Sequence, residues 1–130
     1  MSRLLMLIVL MLSASSAWAE WTWVGEDPDT GLTAYIDYET MRRMGNLVEF
    51  WRLVDLKTTQ KLLGVRFLSS KSQWQYDCLE EQEQGLAFTY FSKNMGKGVV
   101  VSSFSGLGKW EPVRPRSISE YVFKIVCDKK

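Results

Sequence analysis

The sequence contains no histidine. This absence excludes the catalytic pairs and triads in which a histidine activates a serine or cysteine nucleophile. The chain has two cysteines, and they would need further ligands to hold a zinc ion. A serine–lysine pair stays open, but no motif points to one. The sequence therefore predicts a protein that is not an enzyme and that holds no cofactor or metal.

A strong excess of charge of one sign is also absent. The chain has 16 lysines and arginines against 15 aspartates and glutamates, for a net charge of +1. Proteins that bind nucleic acids carry a clear positive excess, because they neutralise phosphates. The composition predicts no nucleic-acid partner.

Long hydrophobic runs are absent after the amino terminus. The one apolar run there, Leu4 to Leu12, has nine residues, whereas a membrane-spanning helix needs about 20. Arg3 precedes this run, and the small residues of Ala17-Trp18-Ala19 follow it. This layout is typical of a secretory signal peptide over residues 1–19, cleaved between Ala19 and Glu20.

Removal of the signal peptide would leave residues 20–130, a length that suits one domain without a transmembrane anchor. Its two cysteines are Cys78 and Cys127. In an oxidising compartment an isolated pair most simply forms one disulfide. A disulfide that closes a loop of this size stabilises the fold by about 4 kcal/mol. The alternative is a pair of catalytic or metal-binding thiols.

The exported part has the pattern of short strands separated by turns. Polar and less polar side chains alternate most clearly over residues 73–78. This pattern places Trp74, Tyr76 and Cys78 on one face of a strand. Residues 38–44 are predicted to form one helical turn capped by Asp37, before Gly45-Asn46 reverses the chain. Further strands are predicted over residues 21–24, 32–37, 47–56, 62–69, 86–91 and 99–104, the last two as a hairpin.

The end of the chain has a helical pattern. Ser117 and Glu120 have the spacing of a capping box, in which each satisfies a backbone amide near the other. An apolar stripe follows at helical spacing, formed by Ile118, Val122, Ile125 and Val126. The sequence thus predicts an α+β fold. It consists of an antiparallel sheet of about six strands with a C-terminal helix packed on one face and tethered by Cys78 and Cys127.

Basic residues are concentrated in one segment of the chain. Residues 57–76 contain no acid and four bases, which are Lys57, Lys61, Arg66 and Lys71. A face of this kind suits an acidic protein segment, a polyanion or an anionic lipid. The alternative is a solvated surface without function.

Trp110 is predicted to be an exposed anchor for a partner, because its surroundings are those of a loop; core packing is the alternative. Glu80, Glu81 and Glu83 form an acidic cluster. It is interpreted as solvated surface, because glycoside chemistry needs two carboxylates in different environments.

Several segments, in this order and spacing, resemble the bacterial surface-adhesin protein E family over residues 32–128. They are Tyr35 to Met41, Leu53-Val54-Asp55, Tyr76-Asp77-Cys78, Tyr90 with Met95-Gly96-Lys97-Gly98, and Ile125-Val126-Cys127. The resemblance implies an antiparallel sheet whose C-terminal helix is tethered by a Cys78–Cys127 disulfide. It also implies binding of host extracellular-matrix or plasma proteins.

The sequence departs from the family pattern in two places. A surface lipoprotein needs a cysteine directly after its signal, but Glu20 follows Ala19. The protein is therefore predicted not to be a lipoprotein. The basic stretch before Cys78 is also sparse.

The functional prediction is an exported, non-enzymatic binding domain, located in the periplasm, secreted or at the cell surface. It would hold a protein partner such as a host matrix or plasma protein through the four bases and nearby aromatics. The alternative is a periplasmic inhibitor or an envelope-assembly or scaffold protein with a bacterial partner. A homodimer stays open, and so does a carrier of small apolar ligands, which would need an open cavity.

Overall fold

The computed structural model describes residues 20–128, and the predicted signal peptide lies outside this range. Seven strands form one antiparallel sheet within the range, in the order β1-β2-β3-β4-β5-β6, with β7 paired to β5. A single α-helix follows them in this part of the chain. The strands are β1 (Thr22–Glu26), β2 (Thr33–Met44), β3 (Leu47–Leu62), β4 (Val65–Asp77), β5 (Gln82–Phe91), β6 (Val100–Ser105) and β7 (Glu111–Pro112), and the helix is α1 (Ile118–Cys127). The predicted fold class is confirmed.

The core lies between α1 and one face of the sheet, which we call the helix face. Val122 and Val126 are one helical turn apart, and both are buried. They pack against alternate residues of the strands, because every second side chain of a strand points to the same face. These strand residues are Val24, Ala34, Ile36, Val48, Phe50 and Tyr76.

The helix is fixed at both ends. The Ser117 side chain accepts a hydrogen bond from the backbone nitrogen of Glu120 at 3.3 Å, which confirms the N-cap half of the predicted capping box. At the other end Cys127 forms a disulfide with Cys78, and their Cα atoms are 5.4 Å apart. The predicted disulfide between sheet and helix is confirmed.

The helical turn predicted over residues 38–44 is wrong, because β2 continues as a strand to Met44. Its register against β3 shifts between Asp37 and Arg42, as at a β-bulge. The Asp37 carboxylate accepts hydrogen bonds from the Glu39 nitrogen at 3.0 Å and the Thr40 hydroxyl at 3.2 Å. Asp37 therefore has the local bonding expected of a cap, but cross-strand pairing with β3 overrides the helical turn.

The division between the predicted strands at 62–69 and 73–78 is also wrong. Residues 65–77 form one continuous strand, β4, and Leu62 belongs to β3. Leu63 and Gly64 make the turn between them, with φ angles of 51° and 81°. Such two-residue turns suit the twist of a hairpin, but a leucine in the left-handed region costs about 1–2 kcal/mol.

Candidate binding surfaces

The hairpin of β3 and β4 extends beyond its neighbours in the sheet. Register pairing with β2 ends at Asp55, and register pairing with β5 ends at Ser69. Residues 56–68, which we call the ribbon, pair in register only with each other. The ribbon contains no acidic residue and three of the predicted partner-binding bases: Lys57, Lys61 and Arg66.

The three bases of the ribbon differ in their surroundings. Lys61 and Arg66 are exposed register partners on the two strands, just behind the turn. Lys57 lies further back, and its Nζ is 2.8 Å from the Glu26 carboxylate in an exposed ion pair. An exposed pair of this kind adds little to stability. However, it leaves Lys61 and Arg66 as the principal free charges of the ribbon.

An open cavity of about 460 Å³ lies at the root of the ribbon. Much of its lining is apolar, and Lys61 and Asp27 contribute one charged group of each sign. The Phe67 and Tyr90 rings meet edge to face there, with centroids 4.8 Å apart. The apolar lining residues are Leu32, Val54, Leu56, Leu62, Phe67 and Tyr90. This is the feature that a carrier of small apolar ligands would need.

Lys71, the fourth predicted base, lies away from the ribbon on the face of the sheet opposite α1. Its Nζ is 5.9 Å from the Trp21 ring centroid and 5.3 Å from that of Phe91. At these distances each ring attracts the ammonium group. The structure therefore does not bring the four bases together in one patch.

Lys71 belongs to a row of aromatic residues on this opposite face. Trp23 pairs with Tyr35, Tyr35 with Leu53, and Leu53 with Lys71, so the side chains of these residues share a face. Trp51 precedes Leu53 by two residues on β3, so its side chain lies on the same face of the sheet. We call Trp21, Trp23, Tyr35, Trp51 and Lys71 the aromatic row. Trp23 is the most prominent of its aromatic residues, at 60% exposure.

A short 3₁₀ turn, Asn94–Gly96, closes over part of this face. The Asp55 carboxylate accepts hydrogen bonds from the Asn94 side chain at 3.0 Å and the Met95 nitrogen at 2.8 Å. Gly96 has φ +70°, and a Cβ there would lie 2.6 Å from Cε of Lys71. A side chain at this position would therefore displace the end of the Lys71 side chain.

Trp110 lies between β6 and β7, close to β5, whereas the aromatic row begins at β1 on the other edge of the sheet. It is 38% exposed, so it belongs neither to the core nor to the aromatic row. The sequence analysis selected Trp110 as the exposed tryptophan and missed Trp23, which is the more exposed of the two. The signal for it was the alternation Trp21-Thr22-Trp23, which places two tryptophans on the same face of an edge strand.

The helix face holds a buried polar cluster around Arg52, which is 7% exposed. Its guanidinium carbon lies 4.3 Å from the Trp74 ring centroid, and Nη1 donates a hydrogen bond to the Tyr76 hydroxyl at 3.1 Å. Burial raises the pKa of Tyr76 to about 12; Arg52 opposes the shift, and Glu83 adds to it. The Tyr76 hydroxyl also donates a hydrogen bond to the Ser119 carbonyl oxygen at 3.5 Å, so it links the sheet to α1.

Glu83 differs from the rest of its predicted acidic cluster. Glu80 and Glu81 are exposed, as expected. Glu83 is only partly exposed, and its Oε2 is buried without a hydrogen-bond partner. Its register partner on β4 is Tyr76, which explains why a residue of this cluster reaches the core.

No group of three His, Cys, Asp or Glu side chains in residues 20–128 is arranged to hold a metal ion. No helix within this range is long and apolar enough to cross a membrane.

The model of the family described as surface-adhesin protein E matches residues 21–128. The chain belongs to the surface-adhesin protein E family. Membership implies an exported or surface protein whose partners are proteins. No curated protein matches the chain.

Solved structures of Haemophilus influenzae protein E share the fold. A selenomethionine form has 12% sequence identity and a TM-score of 0.62, and the match covers 85% of this chain and 88% of that one. Crystal form II has 15% identity and a TM-score of 0.59, with coverage of 73% and 80%. Protein E from a non-typeable strain has 13% identity and a TM-score of 0.59, with coverage of 82% and 75%. At such identities the likeness shows the fold alone.

Proposed function

We propose that this protein is an exported, non-enzymatic binding domain that holds a protein partner on its aromatic row. The observation that carries the proposal is the exposed Trp23 on the same face of the sheet as Lys71. The Lys71 ammonium group lies near the rings of Trp21 and Phe91. Tryptophan and tyrosine are enriched among the residues that dominate protein interfaces. The contacts with these two rings favour one position of the Lys71 side chain, so less side-chain entropy is lost when a partner arrives.

The charges near Lys71 favour an acidic group on the partner. Glu49, on the same face, accepts a hydrogen bond from the Gln73 amide at 2.6 Å. Asp55 accepts its bonds from the 3₁₀ turn. These carboxylates are already engaged, whereas the rings beside Lys71 leave its charge uncompensated. A partner segment with an acidic residue next to apolar ones would complement the surface.

The family supports a host matrix or plasma protein as the partner, and this is our first proposal. The alternative is a bacterial partner in the periplasm, for an inhibitor or an envelope-assembly or scaffold protein. Both proposals include a signal peptide over residues 1–19, one domain over residues 20–130 and no lipid anchor. The roles predicted for Lys57, Lys61, Arg66 and Trp110 in partner binding remain predictions that compete with this proposal, whereas Lys71 belongs to the aromatic row.

Two matched double variants test the surface. W23S/K71Q removes a tryptophan and a charge from the aromatic row, whereas W110S/K109Q removes the same groups near β7. Each protein is immobilised and exposed to plasma, to matrix extract and to bacterial envelope extract. We expect W23S/K71Q to lose its partner by about tenfold or more in affinity, and W110S/K109Q to bind like the wild type. Equal losses, or no loss in W23S/K71Q, would contradict the proposed surface.

The location of the protein in the cell distinguishes a host partner from a bacterial one. Protease added to intact cells should digest a protein that meets host partners at the surface. Protection until the outer membrane is opened would favour the periplasmic alternative.

A further inference from the structure

The tip of the ribbon combines an exposed leucine with two cations. Leu63 occupies the turn between β3 and β4, and its side chain is 84% exposed. Lys61 and Arg66 face each other across the two strands directly behind it. A Cβ added to Gly64 would meet no atom within 4 Å. The tip therefore stands in open space.

Neither backbone geometry nor packing accounts for a leucine at this position. Both residues of the turn have positive φ, 51° at Leu63 and 81° at Gly64. Asparagine before glycine is the favoured pair in such turns, because asparagine tolerates the left-handed region. The Leu63 side chain gains little from contacts in return, since most of it faces solvent. Residues held in sparsely populated backbone conformations are concentrated at functional sites such as ligand clamps and switch regions.

We propose that the ribbon tip docks on a membrane rich in anionic phospholipid. Leu63 enters the boundary between headgroups and acyl chains, and Lys61 and Arg66 contact the lipid phosphates. The ribbon has three bases and no acid across residues 56–68, so its charge complements such a surface. Apolar residues flanked by lysine and arginine are typical of segments that bind at the membrane interface.

The shape of the tip favours a membrane over a protein as its target. The ribbon is two strands wide, and its turn presents one prominent leucine. A stable protein interface buries about 800 Å² on each partner, which a tip of this size does not offer. A fluid bilayer closes around a single projecting side chain and needs no matching pocket.

The tip is separate from the aromatic row. Lys71 pairs with Leu53 and Thr89 within the broad part of the sheet, whereas Leu63 lies beyond the last register pair with β2 and β5. Docking of the tip therefore leaves Trp23 and Lys71 free. The protein can hold a membrane and a partner protein at the same time.

Sedimentation with vesicles tests the proposal, using the exported protein without its predicted signal peptide, residues 20–130. One set of vesicles is phosphatidylcholine alone, and the other contains about one third phosphatidylglycerol. We expect the wild type to sediment with the anionic vesicles only. High salt should release it, because salt screens the attraction between Lys61 or Arg66 and the phosphates.

Two variants and their matched controls separate insertion from simple charge attraction. Leu63→Asn keeps the turn geometry and should weaken binding to anionic vesicles by about tenfold. K61Q/R66Q should weaken it by roughly thirtyfold. Leu107 is 80% exposed, so Leu107→Asn is the control for the leucine. K97Q/K109Q removes the same charge from other exposed positions. Both controls should bind like the wild type.

Failure of the wild type to bind anionic vesicles would overturn the proposal. The proposal would also be overturned if Leu63→Asn bound anionic vesicles as tightly as the wild type, because charge alone would then account for the attraction. If K61Q/R66Q loses a protein partner while the wild type ignores vesicles, the tip belongs to a protein interface. The W23S/K71Q variant retains the tip, so failure of the aromatic row leaves the vesicle result unchanged.

Discussion

The two ends of the β3–β4 hairpin are built in different ways. Near Phe50 and Tyr76, both strands have neighbours on each side, and their helix-face side chains are covered by α1. In the ribbon the same two strands pair only with each other, and Leu63 faces solvent. An isolated two-stranded hairpin is marginally stable in water. One end of the hairpin therefore supplies stability, which allows the other end to present side chains for binding.

Removing the disulfide should have the largest effect on the stable end of the hairpin. C78S/C127S should lower the free energy of unfolding by about 4 kcal/mol, because the disulfide closes a loop with a sequence separation of 49 residues. Chemical denaturation measures this loss. Amide exchange should show lower protection in α1, with little change in the ribbon's local opening. Equal unfolding free energies of the two proteins would contradict the role given to the disulfide.

High pH should weaken the stable end through Tyr76. Its pKa is about 12 in the folded protein and 10.0 as an ordinary tyrosine. A raised pKa means that the neutral form is favoured by folding. This contribution is therefore complete below pH 10 and is lost as the pH rises towards 12. Two units correspond to at most about 2–3 kcal/mol.

Denaturation of the wild type and Tyr76→Phe over this pH range measures the contribution. Tyr76→Phe should be less stable at neutral pH by about 1–2 kcal/mol, because Arg52 loses a buried acceptor. The gap between the two proteins should narrow as the pH rises. Tyr121, which is exposed, provides the control, and Tyr121→Phe should follow the wild type. A gap that stays constant with pH would contradict the assignment.

The sequence predicts the stable end of the molecule well, because its signals are local and periodic. Alternation at Trp74, Tyr76 and Cys78 indicates a buried strand face, and Val122 and Val126 indicate a helix stripe. These two patterns, with two cysteines in an exported chain, determine how α1 packs. The strand over residues 38–44 was missed because pairing with β3 decides it, and that pairing depends on residues far along the chain.

The candidate binding surfaces are harder to predict from sequence. The exposure of Trp23 depends on which face of the sheet α1 covers. The separation of Lys71 from Lys61 and Arg66 depends on where β2 and β5 stop. Composition therefore indicates the basic segment, but not its division between two surfaces. The exposure of Leu63 follows only once the turn is placed at residues 63–64.

Replacing Leu63 should have the smallest effect on stability, and it probes the ribbon most directly. Asparagine tolerates a φ of 51° better than leucine does, and Leu63 has little packing to lose. Leu63→Asn should therefore raise the free energy of unfolding by up to about 1 kcal/mol, as measured by chemical denaturation. Leu107→Asn is the matched control, since Leu107 is exposed and has no positive φ, and it should change stability little. A clear loss of stability in Leu63→Asn would mean that Leu63 packs within the ribbon. A gain in stability together with weaker vesicle binding would mean that the chain keeps a strained leucine for binding at a cost to its own fold.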